Sequence, residues 1–447
     1  MSEDADRYPT LSADGAAMLR LLKEHPNAPI YRNQSGNRLT REDLARVRAH
    51  AAEVEHGLHP PSTEWLASFV ERCRAEVPFY RSYPGWTRIE DLPTTARADL
   101  SADITRFFPD TVPIERLIHF STTGTTGHPL VLASHPVVAA SYLVFHKRAL
   151  ARFGITLRHG KGQVGVVLIG WQKVCFTYVS VTPLMGESGL AKINLHPDDW
   201  RDPDDRAKYL DALQAEVWTG DPISFAELAK LPVHHSPRAM ISTSMTLLPG
   251  LAAQLAARFS CPVLDLYSLN EVGPVAVRDE RLGGHVLLQN RLHVEILDAH
   301  GQPVRAGERG EITVTGGFNF CLPLLRYRTG DHASLEQRGG EQVLVGLEGR
   351  PPVRFRTASG AWINNIEVTH ALKGLPLARF ALHQGGDGGL AFRYLGGQEQ
   401  SAAVATALAR LFGTDLFGNT VPIEVTAVAG FGEKVVQYTS ALPGAAP

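Results

Sequence analysis

Cysteine is scarce in this chain. Four residues in 447, Cys73, Cys175, Cys261 and Cys321, lie far apart with no C-x-x-C pair among them. That excludes a disulfide framework and offers no zinc site; four reduced and mostly buried thiols in a cytoplasmic protein are expected. A long apolar run is missing too, so no membrane-spanning segment is expected. Nor does charge of one sign dominate: 44 Lys and Arg face 46 Asp and Glu, for a net charge of −2. Such a balance gives no electrostatic footprint for nucleic acid or an anionic membrane. The first residues, Met1-Ser2-Glu3-Asp4-Ala5-Asp6, are acidic and lack the basic and apolar parts of a signal peptide. No internal repeat is found. The 18 histidines are scattered, and a surface loop accounts for the pair His234-His235.

One stretch stands out from this even composition. Every residue from Ser121 to Gly127 (Ser121, Thr122, Thr123, Gly124, Thr125, Thr126, Gly127) is Ser, Thr or Gly. Glycines let backbone N–H groups approach an oxygen-rich ligand, and hydroxyls add uncharged donors. Such a loop can wrap phosphate oxygens as an anion-binding nest. It is not a Walker A loop, whose lysine is absent. A flexible Ser/Thr/Gly linker is the competing reading. Against it, Ile114–Phe120 and Leu130–Ala133 on either side both read as strands.

Residues 1–75 read as a helical extension. Thr40-Arg41-Glu42-Asp43 has capping-box spacing, followed by Leu44, Val47 and Ala51 at helical intervals. After the loop, Val137–Phe153 reads as a helix and Gln163–Gly170 as a buried parallel strand. Pro203–Trp218 is expected to be a helix, Arg238–Ser242 a strand, Pro249–Phe259 a helix and Pro262–Tyr267 a strand. Strand–helix alternation of this kind predicts an α/β protein with a parallel sheet, whose ligands collect beyond the carboxyl ends of the strands. Glu271 lies just past one such end, and the loop after Ile241 past another. From His293 onward, short strands separated by glycine-containing turns suggest a small β-rich subdomain. A compact α+β unit of about a hundred residues follows. The division expected is a large domain over 1–349, including the extension 1–75, and a small mobile C-terminal domain over 350–447.

The loop resembles the phosphate-binding signature of the adenylate-forming superfamily, which contains acyl-CoA synthetases and peptide-synthetase adenylation domains. Its nearest likeness is to the phenylacetate–CoA ligase branch. Three further stretches occur in that family's order: Tyr267-Ser268-Leu269-Asn270-Glu271, Arg326-Tyr327-Arg328-Thr329-Gly330-Asp331, and Gly349-Arg350. The resemblance implies an AMP-forming acid–thiol ligase using ATP, Mg²⁺ and a small aromatic or otherwise apolar carboxylic acid, with CoA as acceptor. It assigns Ser121 to Gly127, Tyr267, Asn270, Glu271, Asp331 and Arg350 to the nucleotide. Glu271 would be the Mg²⁺ ligand, against the plainer reading of a strand-end glutamate. Asp331 would take both ribose hydroxyls, against that of a turn aspartate after Gly330. Arg350 would reach a phosphate or the ribose, or serve only as a hinge arginine.

Trp171, Phe176, Ser242, Ser244 and Ser268 are assigned to the acid's pocket, although plain core packing explains the aromatics equally well. Lys434, in Gly432-Glu433-Lys434, is the candidate for the catalytic lysine of the family's C-terminal domain, an exposed lysine with no task being its competitor. Several positions depart from the family pattern: His128 where lysine is usual, Ser268 for glycine, Asn270 for threonine, and Pro352-Val353 where two acidic residues are usual at the hinge. Proline fixes φ and would stiffen that hinge. Three functions therefore stand open: transfer of an activated acyl group to CoA, transfer to an amine or carrier-protein thiol, and nucleotide binding without catalysis. Cytoplasmic location is expected, and self-association is compatible with the sequence.

Overall fold

The computed structural model describes residues 6–56, 63–121, 131–172, 175–349, 353–431 and 436–445. Its framework is a 13-stranded sheet. One half is parallel: Ser188–Asn194, Val164–Gly170, Val217–Gly220, Ala239–Ser242 and Val263–Leu269 lie side by side in that order. Tyr178–Thr182 adds an antiparallel edge. Val164–Gly170 has almost every side chain buried, which is why it reads as a continuous apolar run rather than an alternating one. Helices Pro136–Ala151, Asp205–Leu213, Pro222–Ala229 and Pro249–Phe259 accompany these strands. Phe145, Leu150, Ile241, Leu264 and Leu266 form one shared core; Trp218, Phe225, Leu251 and Phe259 belong to another.

The expected helix over Pro203–Trp218 is too long. It ends at Leu213, with Gln214 in the left-handed region at φ 46°. Val217–Gly220 is instead a central strand. Val217 and Trp218 satisfy a helical stripe as readily as a buried strand, so periodicity could not separate the two. Gly220-Asp221-Pro222 does not merely end an element. The Asp221 carboxylate accepts from the Ser224 N–H at 2.8 Å and caps a further helix that the sequence reading missed.

The β-rich part is the antiparallel continuation of the same sheet. Gly273–Asp279 turns back against Val263–Leu269, and the order continues through Gly284–Leu287, Glu341–Gly349, Leu324–Arg338, Gly310–Gly316 and Leu292–Leu297. The short strand Thr95–Ala96 runs parallel to Tyr327–Arg328. Strands Ile118–Ser121 and Val131–Ser134 form an antiparallel hairpin. The Ser/Thr/Gly stretch connects them; Thr122 to Gly127 and His128 lie outside the described residues, as do Arg350 to Pro352 and Lys434.

The N-terminal helices are Ala13–Glu24, Arg41–His56 and Glu64–Glu76. The expected capping box is present: the Asp43 N–H donates to Thr40 Oγ1 at 3.2 Å, and the Thr40 N–H to Asp43 Oδ2 at 3.0 Å. All four cysteines are free and buried. Burial pushes the Cys261 thiol up to about 11 and those of Cys73 and Cys321 up to about 12, so they stay protonated and inert near neutrality. Among the described residues, no helix is long and apolar enough to cross a membrane.

The C-terminal unit has its own four-stranded sheet, ordered Ile423–Val428, Leu390–Leu395, Phe380–Gln384, Tyr438–Ser440, with helices Asn365–Leu372 and Ser401–Phe412. Phe355, Phe380, Phe392, Leu408 and Phe412 fill its core. Leu248 of the larger part joins that cluster, and the Gly250 N–H donates to the Lys373 carbonyl at 2.6 Å. A Cβ at Gly250 would lie 2.6 Å from Gly374 carbon, so glycine is what permits this approach.

Candidate active site

Two carboxylates are delivered to one place by the turning point of the large sheet. Strand Val263–Leu269 ends the parallel half, and Glu271 sits in the tight return to Gly273–Asp279. Gly273 makes the return at φ 76°, where a Cβ would fall 2.4 Å from the Phe318 ring. Glu271 is consequently buried, 7% exposed. Its Oε1 accepts from the Tyr327 hydroxyl at 3.0 Å and lies 3.7 Å from the Arg97 guanidinium. These contacts share one oxygen; among the described residues the second takes no hydrogen bond or ion pair and could accept a further ligand.

Asp331 sits on strand Leu324–Arg338, which lies beyond Gly284–Leu287 and Glu341–Gly349 in the sheet order, and is half-buried. Its Oδ2 accepts from the Tyr267 hydroxyl at 2.7 Å. Its turn is pinned from below. The Gly330 N–H donates to Glu311 Oε1 at 3.0 Å, and Arg328 Nε to Glu311 Oε2 at 2.7 Å. The Asp331 N–H donates to Thr329 Oγ1 at 3.1 Å, while the Thr329 hydroxyl donates to the Ile312 carbonyl. Gly330, at φ 80°, supplies a backbone shape that other residues rarely adopt.

The tyrosines are fixed as proton donors. Burial, then the charge of Asp331, raises the Tyr267 phenol well above its ordinary range; burial and Glu271 do the same for Tyr327. Tyr142, on helix Pro136–Ala151, is pushed up to about 12 by burial and by the charge of Glu271. Its ring packs edge-on against Phe318 at 5.4 Å. Among the described residues the result is a small acidic centre, Glu271 and Asp331, flanked by neutral hydroxyls and by Arg97. It is suited to bind a cation, ribose hydroxyls or a polyphosphate with its counter-ion.

Of the residues singled out in the sequence, Tyr267, Glu271 and Asp331 are brought together. Ser121 closes the first hairpin strand opposite Val131. Ser268 is half-buried, and Asn270 is exposed beside Glu271. Ser242 is fully buried, its hydroxyl without a partner among the described residues; Ser244 is exposed at φ 71°. Trp171 is half-buried and packs on His196 at 5.5 Å, while Phe176 is 52% exposed against Tyr178. Neither aromatic contacts the carboxylate pair among the described residues.

Arg97 and the hydroxyl role of Tyr327 were not anticipated. Arg97 opens a helix whose first turn is capped by Asp99, and Thr95–Ala96 pairing with Tyr327–Arg328 carries it to Glu271. The cap was visible in the sequence, since Asp99 stands three residues after Ala96. Its destination, 174 positions downstream, was not.

A sequence profile for AMP-binding enzymes matches residues 117–320. Phenylacetate-coenzyme A ligases of Escherichia coli (strain K12) and Aromatoleum evansii are 34% and 33% identical over 86 residues, 18% of this chain and 20% of each relative. The chain thus matches about a fifth of those relatives' length. Among solved structures, a 2-hydroxyisobutyryl-CoA ligase in its postadenylation state is similar with a TM-score of 0.62 at 18% identity, covering 88% of this chain and 89% of that one. An anthranilate CoA ligase bound to anthranoyl-AMP is similar with a TM-score of 0.51 at 13% identity, covering 73% and 66%. At such identities the structures speak for the fold alone. The profile match spans the hairpin and the Glu271 turn, the local relatives are both phenylacetate-coenzyme A ligases, and the fold is that of the solved acyl-CoA ligases: over residues 117–320 the chain is similar to AMP-binding enzymes.

Proposed function

We propose that the protein activates a small aromatic or otherwise apolar carboxylic acid as its acyl-adenylate at the expense of ATP, then passes the acyl group to CoA. The observation that carries this reading is the pairing of Tyr267 with Asp331 and of Tyr327 with Glu271 beside the turn of the large sheet. In adenylation a carboxylate oxygen attacks the α-phosphorus of ATP and pyrophosphate leaves, so charge must be offset and the nucleotide held in line. Asp331 holds the ribose through two hydroxyls. The loop Ser121 to Gly127 holds the pyrophosphate, and Arg97 stands beside Glu271 as a further cation. Residues 1–349 supply these groups, and 350–447 form the lid that brings Lys434 to the reacting carboxylate.

Among the described residues, no group of three or more His, Cys, Asp or Glu could hold a metal by itself. That suits Mg²⁺, which binds through one or two carboxylates with the remaining sites filled by water and phosphate oxygens. Glu271, buried and with one oxygen unengaged among the described residues, fits as the protein ligand. Bound there, Mg²⁺ would neutralise phosphate charge as the pyrophosphate departs.

The decisive experiment is ATP–pyrophosphate exchange over a panel of carboxylic acids, followed by acceptor competition between CoA and amines. No acid supporting exchange would leave nucleotide binding without catalysis. Exchange without CoA-dependent turnover would move the acceptor to an amine or a carrier protein.

Two substitutions test individual roles. Asp331→Ala is expected to raise KM for ATP about 10- to 100-fold, the cost of a charge-assisted hydrogen bond of ~1.5–3 kcal/mol, with the acid's KM nearly unchanged. A shift in the acid's KM instead would refute the ribose role. Lys434→Ala is expected to slow adenylation about tenfold while ATP still binds and preformed acyl-adenylate is still consumed. Equal losses in both half-reactions would instead indicate misplacement of the C-terminal unit.

A further inference from the structure

The C-terminal unit carries a feature that the adenylation chemistry does not use. Leu416 and Phe417 are 99% and 89% exposed, at the tip of the loop between helix Ser401–Phe412 and strand Ile423–Val428. The loop is not slack. Asp415 Oδ1 accepts from the Phe417 and Asn419 N–H groups at 2.8 and 2.7 Å, and its Oδ2 accepts from Asn419 Nδ2 at 2.8 Å. The Asp415 N–H donates to the Asn419 carbonyl, Thr414 bridges to Thr420, and Gly418 closes the turn at φ 83°. Two large apolar side chains are therefore held out rigidly into water, where each loses the stabilisation that burial would give it. Beside them runs a groove of about 250 Å³ walled by Ala405, Ala409, Phe412, Val421 and Ile423. Alanines at two helix positions leave it open. Strand Ile423–Val428, which forms its other wall, is the outer strand of its sheet.

We infer that this knob and groove are the two halves of a self-complementary contact, and that the chain pairs with a second copy of itself through its C-terminal unit. A protrusion and a recess side by side on one face meet each other when that face is turned about a twofold axis, so each copy's Phe417 enters the other's groove. The area is adequate. An aromatic side chain buries about 150–250 Å². Two phenylalanines, two leucines and the walls they cover therefore remove on the order of 1,000 Å², the size of a weak but specific association. Charge agrees as well. The Asn419 side chain and the turn's N–H groups hold the Asp415 carboxyl below its usual range, so an anion sits at the knob's base. Arg410 is exposed on the groove-forming helix and has no partner among the described residues, leaving a cation for it to meet.

Sedimentation of the full chain over a concentration series tests this. A reversible dimer with a micromolar dissociation constant is expected. Phe417→Asp, at a side chain standing in solvent, should raise that constant about 30-fold or more, as for loss of an interface hot spot. Ala409→Trp, which fills the groove, should do the same. Mixing the two variants should restore pairing, because the heterodimer keeps one intact knob–groove contact while neither variant alone has any. Unfolding midpoints, rather than activity, establish that both variants fold. If Ala409→Trp does not fold, Leu416→Asp with Phe417→Asp carries the test. A wild-type chain that stays monomeric would overturn the inference and leave the surface to a different protein. A dimer indifferent to these substitutions, or no recovery on mixing, would overturn it too.

Discussion

Replacing Glu271 with glutamine is expected to lower pyrophosphate exchange about 10²- to 10³-fold, the usual consequence of removing one preorganised electrostatic group from a reacting site. The substitution keeps shape and leaves an amide oxygen for the Tyr327 hydroxyl, so the fold should be untouched. Only the charge is lost. The buried carboxylate has an arginine at 3.7 Å and a phenol at 3.0 Å, both directed to Oε1. A neutral amide there would leave Arg97 without that counter-charge and a divalent cation without its protein ligand. Dependence on Mg²⁺ should change in step, with a higher concentration needed for half-maximal exchange. Removing the metal with a chelator should stop exchange in the parent and leave little further to lose in the variant. Unchanged exchange, with an unchanged unfolding midpoint, would remove Glu271 from the metal site and return it to the role of a strand-end residue.

The split between what the sequence disclosed and what it hid follows interaction range. The box joining Thr40 and Asp43 is three residues wide, and spacing alone specifies it. Pro249–Phe259 was legible end to end because Pro249 starts it and its apolar stripe runs unbroken to Phe259. Val217–Gly220 was misread because its burial is decided by strands on both sides, which a local window does not contain. The same holds at the site. Glu271 and Asp331 could be named from local motifs, but their tyrosine partners are 56 and 64 positions away. The antiparallel turn-back of the sheet creates those pairs. No spacing rule encodes them.

The motif Arg326 to Asp331 shows how unevenly such a signature divides its work. Arg328 braces the Asp331 turn through Glu311, and Tyr327 faces Glu271, whereas Arg326 points the other way. It is 2% exposed, and its guanidinium lies on Glu295, with Nε at 3.1 Å and Nη2 at 2.9 Å from the two oxygens. Its Nη1 donates to the carbonyls of Glu90 and Leu92, both at 2.8 Å. Arg326 thereby ties the 90–92 segment, which leads into Arg97, to the strand that carries Tyr327 and Asp331. Its backbone is held at φ 44°, a conformation that costs a non-glycine residue of order 1–3 kcal/mol and persists only when its surroundings enforce it. Arg326→Ala should therefore act first on stability. Removing one partner of a buried pair leaves the other charge uncompensated, at a cost of ~3–5 kcal/mol, and two carbonyls lose a donor besides. A lowered thermal or denaturant midpoint would show this, with exchange activity recovering where the variant remains folded. Pairing Arg326→Met with Glu295→Leu should recover the part of the midpoint owed to the lone buried charge, while the Glu90 and Leu92 carbonyls still lack their donor. If the single variant kept its midpoint but lost nucleotide binding, Arg326 would belong to the site itself rather than to the scaffold behind it.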